Sequence, residues 1–540
     1  RLNGVNYFEK PPLMYWATAI SERVFGKSEW SVRFMNAFVA LLGVLFTYVT
    51  ARKVYGRTAG VGSAIVLGTS AFYFGLSNFL VLDMAVSVLM SATLFCFILG
   101  VREAPGASRR WFFYGLYISA ALATLTKGFI GFLLTGAVMF VWLLVFNQWK
   151  RLRPLYLPTG LLIFLIIATP WHILVALRNE TWVHRYIVYE HWLRFSTSAA
   201  SRVKPWSFFI PIILGGLFPW VGFLWASIKE TFAGGWAARK SRADAWFFAT
   251  WVIFIFLFFS TSKSKLAPYI LPVFPALAVL IGPWLASQWN EVSGRKLRLG
   301  LNVFAFFCGL LAVALLAVVI APARFRIDPT EAAPMQPFVY ALAFVLLTGG
   351  VLTPWLGRNK GPRPALRGLV VTIAVFFVIV ACAGPAIEKQ KPGTKKLALI
   401  VKERALPGDR VMHYHEFFHD FTFYAERVVD LVSFKGELEL EEDAAAEQSG
   451  RFPNEQEFLR DWNEPRRIFL VARKKDADEK RATRDYTNAV SAWKRAEQAA
   501  KDKGLPFNDA PPQRSAFADP DFHYYLIGET EDHYLFSNKP

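Results

Sequence analysis

The first residues able to do chemistry lie in the motif Tyr7–Pro12, Tyr-Phe-Glu-Lys-Pro-Pro, which precedes a long series of apolar segments. It sets the Glu9 carboxylate beside the Lys10 ammonium, and the two prolines stiffen the backbone and remove two N–H donors. Charges at the edge of a bilayer are costly unless they are paired, solvated or used. The motif therefore indicates a functional site. The alternative is a plain interfacial anchor, in which Lys10 extends to the headgroups.

Other charged residues interrupt the apolar sequence at its turns. Asp83 lies in Leu-Asp-Met between two apolar segments, and Lys127 precedes a glycine in another tight turn. A carboxylate at such depth is a functional candidate, with a water-exposed helix N-cap as the alternative. The loop 178–205 and the stretch 262–269 add further cations, including Lys265. An anionic lipid headgroup or a pyrophosphate-like substrate requires such cations.

The elements that must position these residues are membrane helices. Apolar residues make up 54 % of the chain, and its mean hydropathy is +0.31. Apolar runs recur that approach the roughly 20 residues needed to cross a bilayer. We predict a polytopic α-helical membrane protein with about 12 spans. The predicted spans are 31–51, 58–79, 83–101, 111–126, 130–147, 156–177, 206–227, 245–261, 267–288, 299–321, 337–356 and 366–385.

Alternate short loops between these spans are rich in lysine and arginine, which places them in the cytoplasm by the positive-inside rule. The net charge of +19 is then a consequence of topology and requires no nucleic-acid partner. The segment 1–30 and the residues after 385 are expected on the opposite, periplasmic face. Because no apolar segment precedes the motif, we expect a longer protein with one more helix, about 13 in all. The cytoplasmic loops carry Arg52, Lys53 and Arg57; Arg102, Arg109 and Arg110; Lys150, Arg151 and Arg153; Lys229, Arg239, Lys240 and Arg242; Arg295, Lys296 and Arg298; and Arg358, Lys360 and Arg363.

The region 386–540 changes character, with dense charges and short alternating stretches at 410–415, 467–471, 523–528 and 534–536. These predict strands, and 474–503 predicts a charged helix, so we expect a small extracytoplasmic α/β domain. The sequence places His413 and His415 on one face of the first strand, close to further acidic and histidine side chains. A metal site is one reading of this cluster, and ordinary core and surface histidines are the other.

Several motifs, in order along the membrane region, resemble those of the lipid A aminoarabinose transferases. These belong to the dolichyl-phosphate-mannose–protein mannosyltransferase-like GT-C membrane glycosyltransferases. The resemblance rests on Tyr7-Phe-Glu-Lys-Pro-Pro-Leu13, Phe25-Gly-X-X-Glu-Trp-Ser-X-Arg33, Leu82-Asp-Met84, Glu190-His-Trp-X-Arg-Phe195 and Lys265-Leu-X-Pro-Tyr-Ile-Leu-Pro272. It implies the GT-C fold. The hydropathy and charge pattern divides the chain into 1–30 (the loop with the motif), 31–385 (the membrane domain) and 386–540 (the periplasmic α/β domain).

The resemblance implies transfer of a sugar from undecaprenyl phosphate at the periplasmic face of the bacterial inner membrane, onto a lipid A phosphate in the aminoarabinose transferases. Lys10 and Arg194 would hold the lipid phosphate, and Asp83 would contact the sugar or its amine or orient the acceptor. A zinc or another divalent ion would be bound by Glu9 and His191, and no nucleotide cofactor is expected. The expected site comprises Asp83, Lys10 and Glu9 for catalysis, and Lys10, Arg194, Lys265, Tyr269, Tyr7 and Lys127 for substrate binding.

Two departures from the family pattern affect the acceptor. Relatives usually carry an acidic residue in the first outer loop, ahead of the motif, and this sequence begins after that position. Relatives also often carry a histidine shortly before the Pro-Trp that follows Lys204. A phosphate acceptor needs no strong base, whereas a hydroxyl acceptor does. A protein O-mannosyltransferase or another glycan-modifying transferase is therefore the alternative. A transporter is disfavoured because the charges gather at one face rather than at mid-membrane.

Overall fold

The structure, a computed structural model, falls into two compact units: Glu9–Gly384, and Pro385–Pro540 together with Arg1–Phe8. The chain therefore passes from one unit to the other inside the Tyr7–Pro12 motif. The residues described are 1–179, 182–184, 186, 203–325, 333–390, 393–436, 438, 448–502, 506–507, 509 and 511–540.

The unit Glu9–Gly384 is built from α-helices, and each of the twelve predicted spans falls on helix. One helix, α1, was not predicted. Short 3₁₀ turns directly precede four of the described helices, at Trp206–Phe208, Ala267–Val273, Gly294–Leu297 and Ala333–Met335. The helices are α1 Leu13–Phe25, α2 Glu29–Tyr55, α3 Arg57–Gly68, α4 Ala71–Ser77, α5 Leu82–Arg102, α6 Ala107–Lys127, α7 Ile130–Val145, α8 Leu157–Arg178, α9 Phe209–Gly216, α10 Val221–Thr231, α11 Ala243–Thr261, α12 Phe274–Trp289, α13 Arg298–Ile320, α14 Gln336–Asn359 and α15 Pro362–Gln390.

Among the described residues, eight helices are long and apolar enough to cross a membrane, or ten if the bent pairs α3–α4 and α9–α10 each count as one span. The predicted number of twelve also included α6 and α7, of which α7 has only 16 residues. Burial separates central from peripheral helices. Of the apolar window of α5, 89 % is buried, against 17 % for α8, so α5 forms the centre and α8 faces outward.

The break between α4 and α5 is held by Asn36 of α2. Its side-chain amide lies 3.0 Å from the carbonyl oxygen of Leu76 and 2.6 Å from that of Phe79. A helix end leaves carbonyl groups without partners, and the bilayer core offers no water to satisfy them. Asn36 therefore lets the chain leave α4 and start α5 immediately before Asp83.

At the basic end of the bundle, Arg109 stabilises the fold in addition to adding to the positive charge that orients the chain. Arg109 is only 3 % exposed and donates to the carbonyl oxygens of Glu103 (2.9 Å), Arg151 (2.6 Å) and Pro154 (3.1 Å). Its guanidinium thereby joins the α5–α6 connection to the chain after α7. Burial of this kind distinguishes it from a solvated loop charge.

The second unit contains a five-stranded sheet in the order β2-β1-β3-β5-β4. Strands β2, β1 and β3 are parallel, while β5 pairs antiparallel with β3 and β4. The predicted strands and charged helix are present, and the three-residue β2 was missed. The elements are α16 Lys395–Arg404, β1 Arg410–Tyr414, α17 His419–Ala425, β2 Asp430–Val432, α18 Glu455–Trp462, β3 Ile468–Arg473, α19 Glu479–Asp502, β4 Tyr525–Glu529 and β5 His533–Ser537.

The N-terminal segment Arg1–Phe8 packs as part of this α/β unit. The Asn3 side chain donates to the Val429 carbonyl oxygen (2.8 Å) and accepts from the Val429 N–H (2.9 Å). Arg451 donates to the backbone oxygen of Asn3 at 2.9 Å, and Val5 is fully buried in the core. The boundary expected after residue 30 was drawn from hydropathy alone. In the structure the first eight residues belong with the C-terminal domain.

Helices α3 and α12 cross at a close contact between Gly62 and Ser63 of α3 and Gly282 of α12. A Cβ at Gly282 would lie 2.5 Å from the backbone N of Ser63, and one at Gly62 would lie 3.0 Å from the Gly282 carbonyl oxygen. We predict that Gly282→Val destabilises the protein by about 1–3 kcal/mol or more, since the backbones must separate. The measurement is thermal unfolding in detergent. Gly309→Val, on α13 with open space around its Cα, is the control; equal losses in both variants would contradict the prediction.

Candidate functional site

Asp83 and Lys127 form an ion pair at one end of the bundle. Asp83 lies in the first turn of α5 and Lys127 is the last residue of α6, so the antiparallel packing of these helices brings them together. Each charge opposes the partial charge of its own helix end. Gly128, at φ +91°, ends α6 in the left-handed region that favours glycine. The side chains are 16 % and 17 % exposed, so the pair is accessible to a substrate but largely shielded from water.

Tyr269 completes this pair with an aromatic surface. The Lys127 ammonium nitrogen lies 4.6 Å from the centre of the Tyr269 ring, within cation–π range. Tyr269 belongs to the 3₁₀ turn Ala267–Val273, in which Pro268 and Pro272 lack the N–H groups of a regular helix. The turn packs against α5 and α11. Three separate parts of the chain therefore meet at Asp83, Lys127 and Tyr269, and all three were predicted site residues.

Lys265 has a more structural role than predicted. It is 4 % exposed, and its ammonium donates to the backbone oxygens of Lys204 (3.1 Å) and Ser262. Burial lowers the pKa of Lys265 below its usual range. A backbone bridge between Val203 and Ser264 joins the same two segments. Lys265 thus fixes the chain that leads to Tyr269, with two of its three donors on protein carbonyls.

Glu9 and Lys10 form the second ion pair, with 2.9 Å between Oε1 and Nζ and side chains about one-fifth exposed. The prolines after them begin α1, whose Trp16 N–H donates to the Pro12 oxygen at 2.9 Å. Helix α1 contacts α2 and α6, and Lys127 ends α6. Tyr7, the remaining predicted residue of this motif, lies in the segment that packs with the α/β unit.

The predicted residues His191 and Arg194 lie outside the described residues. Among the part of the chain that is described, no group of three His, Cys, Asp or Glu side chains is placed to bind a metal ion. Of the two metal ligands implied by the resemblance, only Glu9 is described, and it is paired with Lys10. A protein zinc site needs three or four ligands, so the described residues alone do not make one.

Sequence reasoning missed a histidine within the membrane segment α8. His172 Nδ1 lies 2.7 Å from the Ala168 carbonyl oxygen, which only accepts, so this nitrogen carries the proton. Its Nε2, 3.2 Å from the Tyr186 hydroxyl, then accepts. The rings of Phe129 and Trp182 lie 5.6 and 4.6 Å from that of Tyr186. An ionisable residue inside an apolar run was the signal that could have found this cluster.

The histidines of the α/β unit are not arranged as the sequence suggested. Strand β1 ends at Tyr414, and His415 follows with φ +55°, so the two histidines do not share a strand face. His413 is fully buried, and its Nδ1 accepts from the Phe418 N–H at 3.2 Å. His415 instead pairs with the buried Glu455 and stacks on Tyr414. His413 therefore belongs to the core, whereas His415 makes a separate contact nearer the surface.

Comparison with known proteins gives consistent results. A family model described as dolichyl-phosphate-mannose-protein mannosyltransferase matches residues 9–173. The chain is 32 % identical over 322 residues to an undecaprenyl phosphate-alpha-4-amino-4-deoxy-L-arabinose arabinosyl transferase of Pectobacterium carotovorum subsp. carotovorum, covering 59 % of this chain and 56 % of that protein. It is 30 % identical over 315 residues to the Yersinia enterocolitica protein of the same name, covering 57 % and 56 %. The chain thus matches little more than half the length of these relatives.

The same architecture is found in a solved structure. The crystal structure of ArnT from Cupriavidus metallidurans bound to undecaprenyl phosphate superposes with a TM-score of 0.79 at 24 % identity, covering 100 % of this chain and 89 % of that one. This likeness confirms the fold: a polytopic helical membrane protein with a C-terminal α/β domain. Over part of its length the chain is therefore similar to undecaprenyl phosphate-aminoarabinose arabinosyl transferases, and its residues 9–173 match the dolichyl-phosphate-mannose-protein mannosyltransferase model, in agreement with the resemblance of its motifs.

The contact between Asp83 and Lys127 is testable by a double-mutant cycle. We predict that Lys127→Met and Asp83→Asn each destabilise the protein by about 1–3 kcal/mol, since each leaves a shielded charge without its partner. The double variant should lose less than the sum of the two. Thermal unfolding in detergent measures all three. Lys263→Met, an exposed lysine in the loop before Tyr269, is the control; additive losses would show that the pair is not coupled.

Burial lowers the pKa of His413 to about 3, and the neighbouring His419 and His533 act in the same direction. The unfolded chain binds this proton near the usual value of about 6.5, so between these pH values the unfolded state holds one more proton. We predict that His413 lowers the free energy of unfolding by about 1.4 kcal/mol for each pH unit below 6.5. His413→Phe should show a shallower dependence of the unfolding midpoint on pH, and the exposed His523→Phe should not. Parallel pH profiles for wild type and His413→Phe would refute this.

Proposed function

We propose that this protein is a polyprenyl-phosphate-sugar-dependent glycosyltransferase. It moves 4-amino-4-deoxy-L-arabinose, or a related sugar, from undecaprenyl phosphate to a lipid A phosphate at the periplasmic face of the inner membrane. The names of its relatives support this proposal. The observation that carries it is the Asp83–Lys127 pair on the Tyr269 ring, formed at one end of the bundle. Both charged residues, together with Glu9 and Lys10, lie within the stretch matched by the family model.

The chemistry assigns a role to the cations. The bond that breaks joins the sugar to a lipid phosphate, so negative charge builds up on the bridging oxygen in the transition state. Lys10 binds this phosphate together with Arg194, and the phosphate takes the place of the Glu9 carboxylate now 2.9 Å from the ammonium. Glu9 holds Lys10 in position until the donor arrives. Tyr269 and Lys127 line the same site. Lys265 holds the segment that leads to Tyr269 in place by donating to the backbone oxygen of Lys204.

Asp83 recognises the sugar. An amino sugar carries an ammonium group, which can pair with Asp83 in the way that Lys127 does. The acceptor lipid phosphate is already anionic and attacks the sugar carbon without a strong base. The proposal therefore requires no acidic residue beyond Asp83 and Glu9 among the described residues. Glu9, which is the one described residue of the implied pair of metal ligands, is paired with Lys10, and the roles proposed here involve no divalent ion.

The orientation rests on the distribution of charge. The loops rich in lysine and arginine lie at the opposite ends of α5 and α6 from Asp83 and Lys127. Cytoplasmic loops carry this excess in bacterial membrane proteins, so the site faces the periplasm of the inner membrane. Lipid A and the undecaprenyl-linked sugar are the proposed partners there.

The test uses the whole protein in its own bacterium, with the gene deleted and then restored. We predict that wild type adds a pentosamine-sized group to lipid A, seen by mass spectrometry, and that Lys10→Ala and Asp83→Asn reduce the product by about 100-fold or more, as for loss of transition-state contacts. Lys263→Ala should retain the product. Immunoblots of membranes check that all variants accumulate equally. Near-normal product in either site variant would place the active site elsewhere.

The same strains distinguish the second candidate function. The family model's description, over residues 9–173, favours a protein O-mannosyltransferase-like or other glycan-modifying activity as the alternative. Unchanged lipid A in the deletion strain, with loss of a hexose from proteins or from another glycan, would support it. A hydroxyl acceptor would then require a base, and Asp83→Asn would remove the candidate.

A further inference from the structure

An apolar groove of about 410 Å³ lies between α3, α12 and α15, and the proposed transfer does not use it. Its wall on α3 includes Val61 and Ile65, its deep end includes Trp220, and Trp289 of α12 stands near its mouth. The lining is predominantly apolar apart from Thr58 and two cations. The cations are Arg57, the first residue of α3, and Arg367, in the second turn of α15.

The two arginines lie at one end of the groove and the apolar side chains extend from it. Arg57, Val61 and Ile65 are spaced by four residues and so share one face of α3. Their eight-residue separation corresponds to about 12 Å along a helix axis. On α15, Arg367 and Val371 repeat the same spacing. The groove therefore has a cationic mouth and an apolar channel that follows the direction of the helices.

The neighbouring Arg363 makes hydrogen bonds at the C-terminal end of α12. It donates to the Trp289 carbonyl oxygen at 2.9 Å and to Asn290 Oδ1 at 2.8 Å. The Arg367 guanidinium lies 5.4 Å from the centre of the Trp289 ring, which orients it at the mouth. Within the described residues, neither Arg57 nor Arg367 has a carboxylate partner within 4.0 Å. Both are exposed, so they are available to an anion.

This mouth is at the far end of the bundle from the proposed transfer site. Lys53 at the end of α2, four residues before Arg57, pairs with Glu103 at 3.6 Å, next to the end of α5. Asp83 lies in the first turn of the same helix, about 28 Å from its other end along the axis. A ligand in the groove therefore lies in the leaflet on the basic side and does not compete for the Asp83–Lys127 pair.

We propose that the groove binds one anionic phospholipid of this leaflet. Arg57 and Arg367 donate to its phosphate, since guanidinium groups bind phosphate oxygens with several hydrogen bonds. One acyl chain lies along Val61 and Ile65 toward Trp220. Basic pockets between membrane helices on the cytoplasmic side suit anionic headgroups, and an interfacial tryptophan suits the headgroup level. A zwitterionic lipid carries a cation that the two arginines repel, so charge selects the anionic class.

The test measures lipid binding to the whole protein purified in detergent. Native mass spectrometry and thermal unfolding are recorded with phosphatidylglycerol, cardiolipin, phosphatidylcholine or inorganic phosphate as the added probe. We expect the anionic lipids to bind and raise the unfolding temperature. Phosphatidylcholine and inorganic phosphate should not, because one lacks net charge and the other lacks an acyl chain. The double variant Arg57→Gln/Arg367→Gln should bind anionic lipid at least about tenfold more weakly.

Two matched variants make the result decisive. Arg358→Gln removes an exposed arginine at the end of α14 that does not line the groove, and it should bind lipid like wild type. Ile65→Trp fills the channel while keeping both arginines, and it should also weaken lipid binding. Equal binding of phosphatidylcholine, or undiminished binding by the double arginine variant, would overturn the proposal. Stabilisation by inorganic phosphate alone would replace the lipid with a free anion. These readouts do not depend on sugar transfer.

Discussion

The antiparallel packing of α5 against α6 is the constraint on which the membrane-embedded unit depends. Helix α5 is the most buried span, and it carries a charged residue near each end. Asp83 pairs with Lys127 at one end, and Arg102 pairs with Asp244 at the other. Each charge on α5 also has the sign that its helix end favours. A change in register between α5 and α6 would separate Asp83 from Lys127, so one packing arrangement fixes the site.

Polar side chains around the α5–α6 pair donate hydrogen bonds to backbone carbonyl groups that the bilayer core cannot satisfy. Asn36 binds the carbonyl groups at the end of α4, and Arg109 binds three more in the connections at the basic end. Irregular backbone at membrane depth is tolerated only where protein groups replace water. A polar residue on one helix thus determines where the next helix begins, and the start of α5 determines the position of Asp83. The site is built by these remote hydrogen bonds as much as by its own residues.

The sequence predicted the fold class and the candidate residues because both leave local signals. Apolar runs predict helices, and Asp83 or Lys127 stands out as a charge at the end of such a run. Pairing between them is a tertiary property, and so is the use of Lys265 as a backbone anchor. The role of Asn3 in the α/β unit depends on a contact 426 residues away, which no local pattern reports. His415 was misplaced because its own positive φ ends the strand at Tyr414.

Both ion pairs at the proposed site have the same physical character. Glu9 with Lys10, and Asp83 with Lys127, are each neutral overall and only about one-fifth exposed. Such pairs stabilise both charges at the membrane edge while no ligand is present, since an unpaired charge there costs free energy. A donor with a phosphate and an ammonium group offers each pair a substitute, the phosphate for Glu9 and the ammonium for Lys127. A neutral sugar would offer only the first, so the Asp83 pair is the reason that the proposed function specifies an amino sugar rather than a hexose.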